Sequence, residues 1–170
     1  MISLRKTLSE AHEALLAQSV SHALIGGFAL AAYGQHRATA DIDFLADGTK
    51  RELIRSSLER RGFVVVNETS EVMQFQGVGY LDILLANRPL SQEMLSHAIE
   101  NQELGIYVVR PEDIIGLKIQ AYKNDRSREL QDKADIQKLL GLPDIDLGLV
   151  KTYADLFDEW AVIQTLTRMT

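Results

Sequence analysis

One stretch constrains this chain more than any other: Ala23 to Asp47, ALIGGFALAAYGQHRATADIDFLAD. Its opening run, Ala23-Leu24-Ile25, suits a short buried strand. Gly26-Gly27 follow, and Phe28-Ala29-Leu30-Ala31-Ala32-Tyr33 then predicts one or two turns of helix stopped by Gly34. A polar turn over Gln35 to Ala40 leads into a second strand, Asp41-Ile42-Asp43-Phe44-Leu45. Alternate residues on a strand share a face, so Asp41 and Asp43 project together. Two glycines between strand and helix leave backbone N–H groups uncovered beside a helix N-terminus, which suits a phosphate. Paired hard oxygen ligands suit Mg2+, which completes its shell with water and substrate phosphate. A phosphate cradle beside paired carboxylates is the equipment of phosphoryl or nucleotidyl transfer.

An internal control shows that the acidic triplet is not enough by itself. Asp144-Ile145-Asp146 repeats it, but follows Pro143, lacks an upstream Gly-Gly, and precedes a helical pattern. That copy predicts a turn with Asp146 as a helix N-cap. The first copy stands apart because a strand, a glycine turn and a helix come before it.

On these residues the stretch resembles the nucleotidyltransferase superfamily, the polymerase-beta-like fold. The version here, Gly26-Gly27 with Arg37-Ala38-Thr39-Ala40-Asp41-Ile42-Asp43, is most similar to small prokaryotic members. Among these are the abortive-infection toxins of type IV toxin–antitoxin systems. The resemblance spans roughly residues 20–140 as a sparse motif set. It implies an α+β fold, with a mixed or antiparallel central sheet flanked by helices and further helices at the C-terminus. It implies catalysis and metal binding by Asp41, Asp43 and a third acid from a later strand, Asp82, with Mg2+ as cofactor and Mn2+ as an alternative. The nucleoside triphosphate would meet the backbone of Gly26 and Gly27, with Arg37, Thr39 and Lys118. The acceptor would be a hydroxyl of a tRNA-like RNA or of a protein, and an antitoxin protein is an expected partner. One departure stands out: most of the superfamily has serine where Gly27 stands.

The residues around Asp82 support part of this on their own. Tyr80-Leu81-Asp82-Ile83-Leu84-Leu85 is an apolar strand broken by one carboxylate. Burying an unpaired charge is costly, so Asp82 needs a cation, a partner or a sheet edge. An exposed aspartate on a half-buried strand remains the alternative. With Phe63-Val64-Val65-Val66 and Val72-Met73-Gln74-Phe75, this strand predicts an antiparallel meander.

The remaining segments read as scaffold. Apolar spacing predicts helices over residues 4–19, Thr49 to Arg61, Ser91 to Ala98, and from Pro111 onward, where proline occupies the first helical position. His12 falls on the polar side of the first of these, and Ser91 serves as a cap. Ile106-Tyr107-Val108-Val109 predicts another strand. The resemblance also implies that Asp132, in Asp132-Lys133-Ala134-Asp135-Ile136, orients Lys118 or an arginine, although Gln131 stands where the family usually has a basic residue. Residues 147–169 predict one amphipathic helix. A single domain over residues 1–170 is expected, with its core at about 20–140 and a helical extension at about 144–170.

Composition narrows the class. A net charge of −6 argues against general polyanion binding, which needs many Lys and Arg contacts. The absence of cysteine excludes disulfides and thiolate zinc sites. No apolar run approaches bilayer length and no signal segment is evident, so a cytoplasmic protein without membrane contact is expected. A reading from another class stays open: a non-catalytic member of the fold, acting as a nucleotide-binding or partner-binding module.

Overall fold

The structure is a computed structural model that describes residues 4–170. The chain divides into two compact units, Met1–Val109 and Arg110–Thr170. The first contains α1 (Leu4–Leu16), β1 (His22–Ile25), α2 (Gly26–Ala32), β2 (Asp41–Asp47), α3 (Arg51–Arg60), β3 (Val64–Glu68), β4 (Val72–Gln76), β5 (Tyr80–Ala86), α4 (Pro89–Ser96), β6 (Ile99–Asn101) and β7 (Ile106–Val108). Its strands form a seven-stranded sheet in the order β3-β4-β5-β2-β1-β7-β6. The meander β3-β4-β5 is antiparallel, as expected. β2 then runs parallel to β5, β1 antiparallel to β2, and β7 parallel to β1. This is a mixed sheet in an α+β fold.

Strand alternation sorts the sheet into two faces. Ile42, Phe44, Ala46, Met73, Phe75, Leu81, Ile83 and Leu85 lie on one face and are buried. Helices α1 and α3 pack against the sheet and each other, adding Leu8, Ala11, Leu15, Ile54 and Leu58 to the core. Asp41, Asp43, Gln74, Gln76, Tyr80 and Asp82 alternate with them and are half-buried or exposed. Two arginines of α3 are spent on internal pairs. Arg51 and Arg55 both hold Glu68, and Arg61 meets Glu10 at 2.8 Å just past the helix.

One contact between α1 and β1 corrects the sequence reading. His12 does not sit on a purely polar side: its Nδ1 lies 2.8 Å from His22 Nε2. His22 Nδ1 is 2.7 Å from the Val20 carbonyl, and its ring meets Phe44 edge-on. A carbonyl only accepts, so His22 Nδ1 carries the proton and Nε2 accepts from His12. Protonating both rings would set two N–H groups against each other. Burial accordingly lowers the His22 pKa below its ordinary 6.5, and His12 is lowered too, with desolvation the largest cause in both. A native state that prefers neutral histidine keeps this stability above pH 6.5 and loses it as pH falls below that value. The melting temperature should therefore drop between about pH 7 and pH 5.5, before most carboxylates titrate. In His22→Gln the slope should flatten; an equally steep slope in the variant would assign the effect elsewhere.

The second unit is helical: α5 (Pro111–Asn124), α6 (Glu129–Leu140), α7 (Leu147–Asp155) and α8 (Trp160–Arg168). Pro111 takes the first position of α5, as read from the sequence. Asp146 caps α7, accepting from the N–H groups of Gly148 and Leu149. Two expectations fail. The single helix over 147–169 is broken at Leu156 to Glu159, where Asp158 adopts φ of 56°. Apolar residues continue in helical spacing across the break, which hides it. Ser91 is not the N-cap of α4, which begins at Pro89; from the third position its hydroxyl closes a capping box, accepting from the Arg88 N–H at 3.2 Å.

Candidate active site

The parallel pairing of β2 with β5 sets Asp43 directly beside Asp82, and Asp41 beside Tyr80. One carboxylate oxygen from each of Asp41, Asp43 and Asp82 falls within 4.8 Å of the others, and all three residues are half-buried. The sequence-predicted triad is thus assembled on one face. Like charges this close repel by on the order of a few kcal/mol per pair at an effective protein dielectric. A divalent cation reverses that sign, and an all-oxygen donor set with room for water is what Mg2+ or Mn2+ takes.

Neighbours hold two of these carboxylates in place. Thr39 Oγ1 donates to Asp41 Oδ1 at 2.9 Å. Gln74 Nε2 donates to Asp82 Oδ2 at 3.1 Å, and Asn67 Nδ2 donates to Gln74 Oε1 at 2.8 Å. Sequence reasoning did not single out Gln74 or Asn67. Only the register of β3, β4 and β5 places them beside Asp82, and register is not visible in local composition.

The glycine turn abuts the triad because Ile25, the last residue of β1, pairs with Asp43. Gly26 has φ of +67°, and a Cβ there would lie 2.1 Å from Asp43 Oδ2. Backbone geometry and the neighbouring carboxylate each demand glycine. A Cβ on Gly27 would lie 2.8 Å from both Arg37 Nη2 and Thr39 Oγ1. A side chain at this position, such as the serine common there, would need the ends of Arg37 and Thr39 to shift. The hydroxyl it would supply has a counterpart in Thr39 Oγ1, in the same space. Helix α2 has seven residues, and Gly26 is half-buried and Gly27 buried, so the turn offers backbone N–H groups without side chains more than a large dipole. Beside it opens a cleft of about 430 Å³, lined by Gly27, Phe28, Arg37 and Thr39, and by Arg5 and Glu103.

Lys118 lies in the other unit and is described there. Its Nζ sits 2.9 Å from Asp132 Oδ1 and 2.7 Å from Asp135 Oδ2, and its side chain is 6% exposed. Arg128 reaches the second oxygen of Asp132 at 3.2 Å. Asp132 therefore orients both Lys118 and an arginine. In this structure the Lys118 side chain ties α5 to α6.

No family model and no curated protein matches this sequence. Solved structures do. The solution structure of the antibiotic-resistance factor ANT(2'')-Ia superimposes with a TM-score of 0.69 at 16% identity, over 98% of this chain and 97% of that one. A lincomycin-bound lincosamide adenylyltransferase, LnuA, gives 0.59 at 18% identity, over 80% and 96%. An antigenic nucleotidyltransferase-like protein from Paracoccidioides brasiliensis gives 0.55 at 19%, over 97% and 92%. The chain has the nucleotidyltransferase fold. Its structural neighbours include two nucleotidyltransferases that act on antibiotics, matched over nearly their whole length.

Proposed function

We propose that this chain is a metal-dependent nucleotidyltransferase that moves a nucleoside monophosphate from a nucleoside triphosphate to an acceptor hydroxyl. The observation that carries this reading is the convergence of Asp41, Asp43 and Asp82 beside the bare turn at Gly26-Gly27. Asp41, Asp43 and Asp82 would hold Mg2+, or Mn2+ in its place. Bound there, a divalent ion offsets phosphate charge and makes an acceptor hydroxyl easier to deprotonate. The Gly26 and Gly27 N–H groups and the Arg37 guanidinium would grip the polyphosphate in the adjoining cleft. Thr39 holds Asp41 in register, and Asp82 takes the proton from the attacking hydroxyl. Pyrophosphate leaves with the electron pair of the broken Pα–O bond.

The resemblance points to RNA or protein hydroxyls as acceptors, and to a cytoplasmic toxin with a cognate antitoxin. The neighbours add small molecules: one is solved with adenylyl-2''-tobramycin and one with lincomycin. None of the described helices is long and apolar enough to cross a membrane.

The test is incubation with each α-³²P-labelled nucleoside triphosphate, Mg2+ and a cell extract, comparing wild type with Asp41→Ala/Asp43→Ala. Triphosphate binding by calorimetry without any transfer would favour a non-catalytic binding module. A separate outcome concerns Gly27. Gly27→Ala displaces the end of Arg37, which would grip the polyphosphate, or of Thr39, which holds Asp41, so Mg2+-dependent triphosphate affinity should fall about 10- to 100-fold, as for other lost supports of a ligand carboxylate. The melting temperature should change little. Unchanged affinity would remove the turn from the site.

A further inference from the structure

We propose that the open sheet face beyond Asp82 is the acceptor platform, and that it takes an uncharged, hydroxylated ring compound of about sugar or nucleoside size. This rests on the transferase reading above and names the class of its second substrate.

The direction of attack follows from strand order. The glycine turn ends β1, β1 borders β2, and β5, β4 and β3 extend away on the other side of β2. With the polyphosphate over the glycine turn, the leaving oxygen lies on the β1 side. In-line displacement needs the attacking oxygen opposite the leaving one, so the acceptor comes from the β5–β4 side.

Register defines what it meets there. One row across the sheet is Asp43, Asp82, Gln74, Asn67, and the next is Asp41, Tyr80, Gln76, Val64. Beyond the carboxylates, these rows offer three carboxamides, one valine and a tyrosine that is 49% exposed. Two strand spacings by two residues give a patch of about 10 by 7 Å, room for one or two six-membered rings. The carboxamides both donate and accept, as hydroxyl groups require. The Tyr80 ring gives the apolar face of a sugar or base something to lie on.

Charge decides between acceptors. A nucleic acid brings phosphates, and neither row contains Lys or Arg to receive them. A polycation wants carboxylates, and neither row has any past Asp82. A neutral acceptor matches what remains. In the step itself, the acceptor oxygen bonds to the α-phosphorus and the Pα–O–Pβ bond breaks. Pyrophosphate carries off the electron pair, and the acceptor proton passes to Asp82 and then to water.

The experiment supplies α-³²P-labelled triphosphates and Mg2+ with three fractions of one extract: small molecules, RNA and protein. The expected label is in the small-molecule fraction, on a product whose acceptor, freed by phosphodiesterase, is retained by neither anion nor cation exchanger. Tyr80→Ala, at an exposed position, should fold normally. It should raise the acceptor KM about tenfold, the scale of one lost aromatic stack, and leave the triphosphate KM unchanged. Label in RNA, in protein or on a cationic product overturns the proposal, as does an unaltered acceptor KM in Tyr80→Ala. Triphosphate binding without any labelled product overturns it while leaving the nucleotide site standing. Absence of Mg2+-dependent triphosphate binding overturns the transferase reading itself.

Discussion

Asp41→Ala combined with Asp43→Ala is expected to abolish nucleotidyl transfer, and either single change to asparagine should cost on the order of 10³-fold. Charge stabilisation by a divalent ion at a phosphoryl centre is worth several kcal/mol, and each factor of ten in rate is about 1.4 kcal/mol. The three carboxylates lie within 4.8 Å of one another, so losing one leaves the others a distorted donor set. Stability should move the other way. Without divalent ions, removing one of three crowded like charges relieves repulsion, so the variant should melt at or above the wild-type temperature. Adding Mg2+ should raise the wild-type melting temperature and leave the double variant unmoved, because only a folded site binds the ion. Transfer assays and thermal unfolding with and without Mg2+ check both halves. A variant that loses activity by unfolding would contradict this account, since the triad would then be structural.

Lys118→Met is expected to destabilise the protein by about 3–5 kcal/mol, the cost of breaking a buried ion pair from one side. Asp132 and Asp135 are each 1% exposed, and the ammonium of Lys118 lies within 3 Å of both. Arg128 still serves Asp132 in the variant. For a chain of this size the loss corresponds to a fall of roughly 10 °C in melting temperature. Adding Asp135→Asn should recover part of it, and the double-mutant cycle measures the coupling. The result also decides the role that family resemblance implies for this lysine. If Lys118→Met melts normally but loses triphosphate affinity, the side chain serves the nucleotide and the buried cluster is incidental.

The Gly-Gly turn, the Asp41–Asp43 pair and the placement of Asp82 on a later strand were all legible because each is a local pattern with one physical meaning. Strand alternation alone puts Asp41 and Asp43 together, and an isolated acid in Leu-Asp-Ile-Leu-Leu demands a reason. The Asp146 cap and Pro111 start were legible for the same cause. What escaped needed pairing register or a tertiary neighbour. Gln74 and Asn67 look like ordinary polar strand residues until β3, β4 and β5 are aligned. His12 looks like a surface residue until β1 brings His22 to it. Lys118 sits in a helical pattern compatible with solvent or with a ligand; only the packing of α5 on α6 reveals its two carboxylates. The break before α8 was masked by apolar spacing that runs through it.

The paired imidazoles bear on how enzyme kinetics with this chain should be interpreted. His22 opens a four-residue strand whose other end feeds straight into Gly26. No imidazole belongs to the two rows that carry the acids. A rate profile with an inflection near neutrality would invite assignment to a proton-transferring histidine. His36 lines the cleft, so an inflection that persists in His36→Gln would report an anchoring strand working loose at its far end, a folding signal in catalytic disguise.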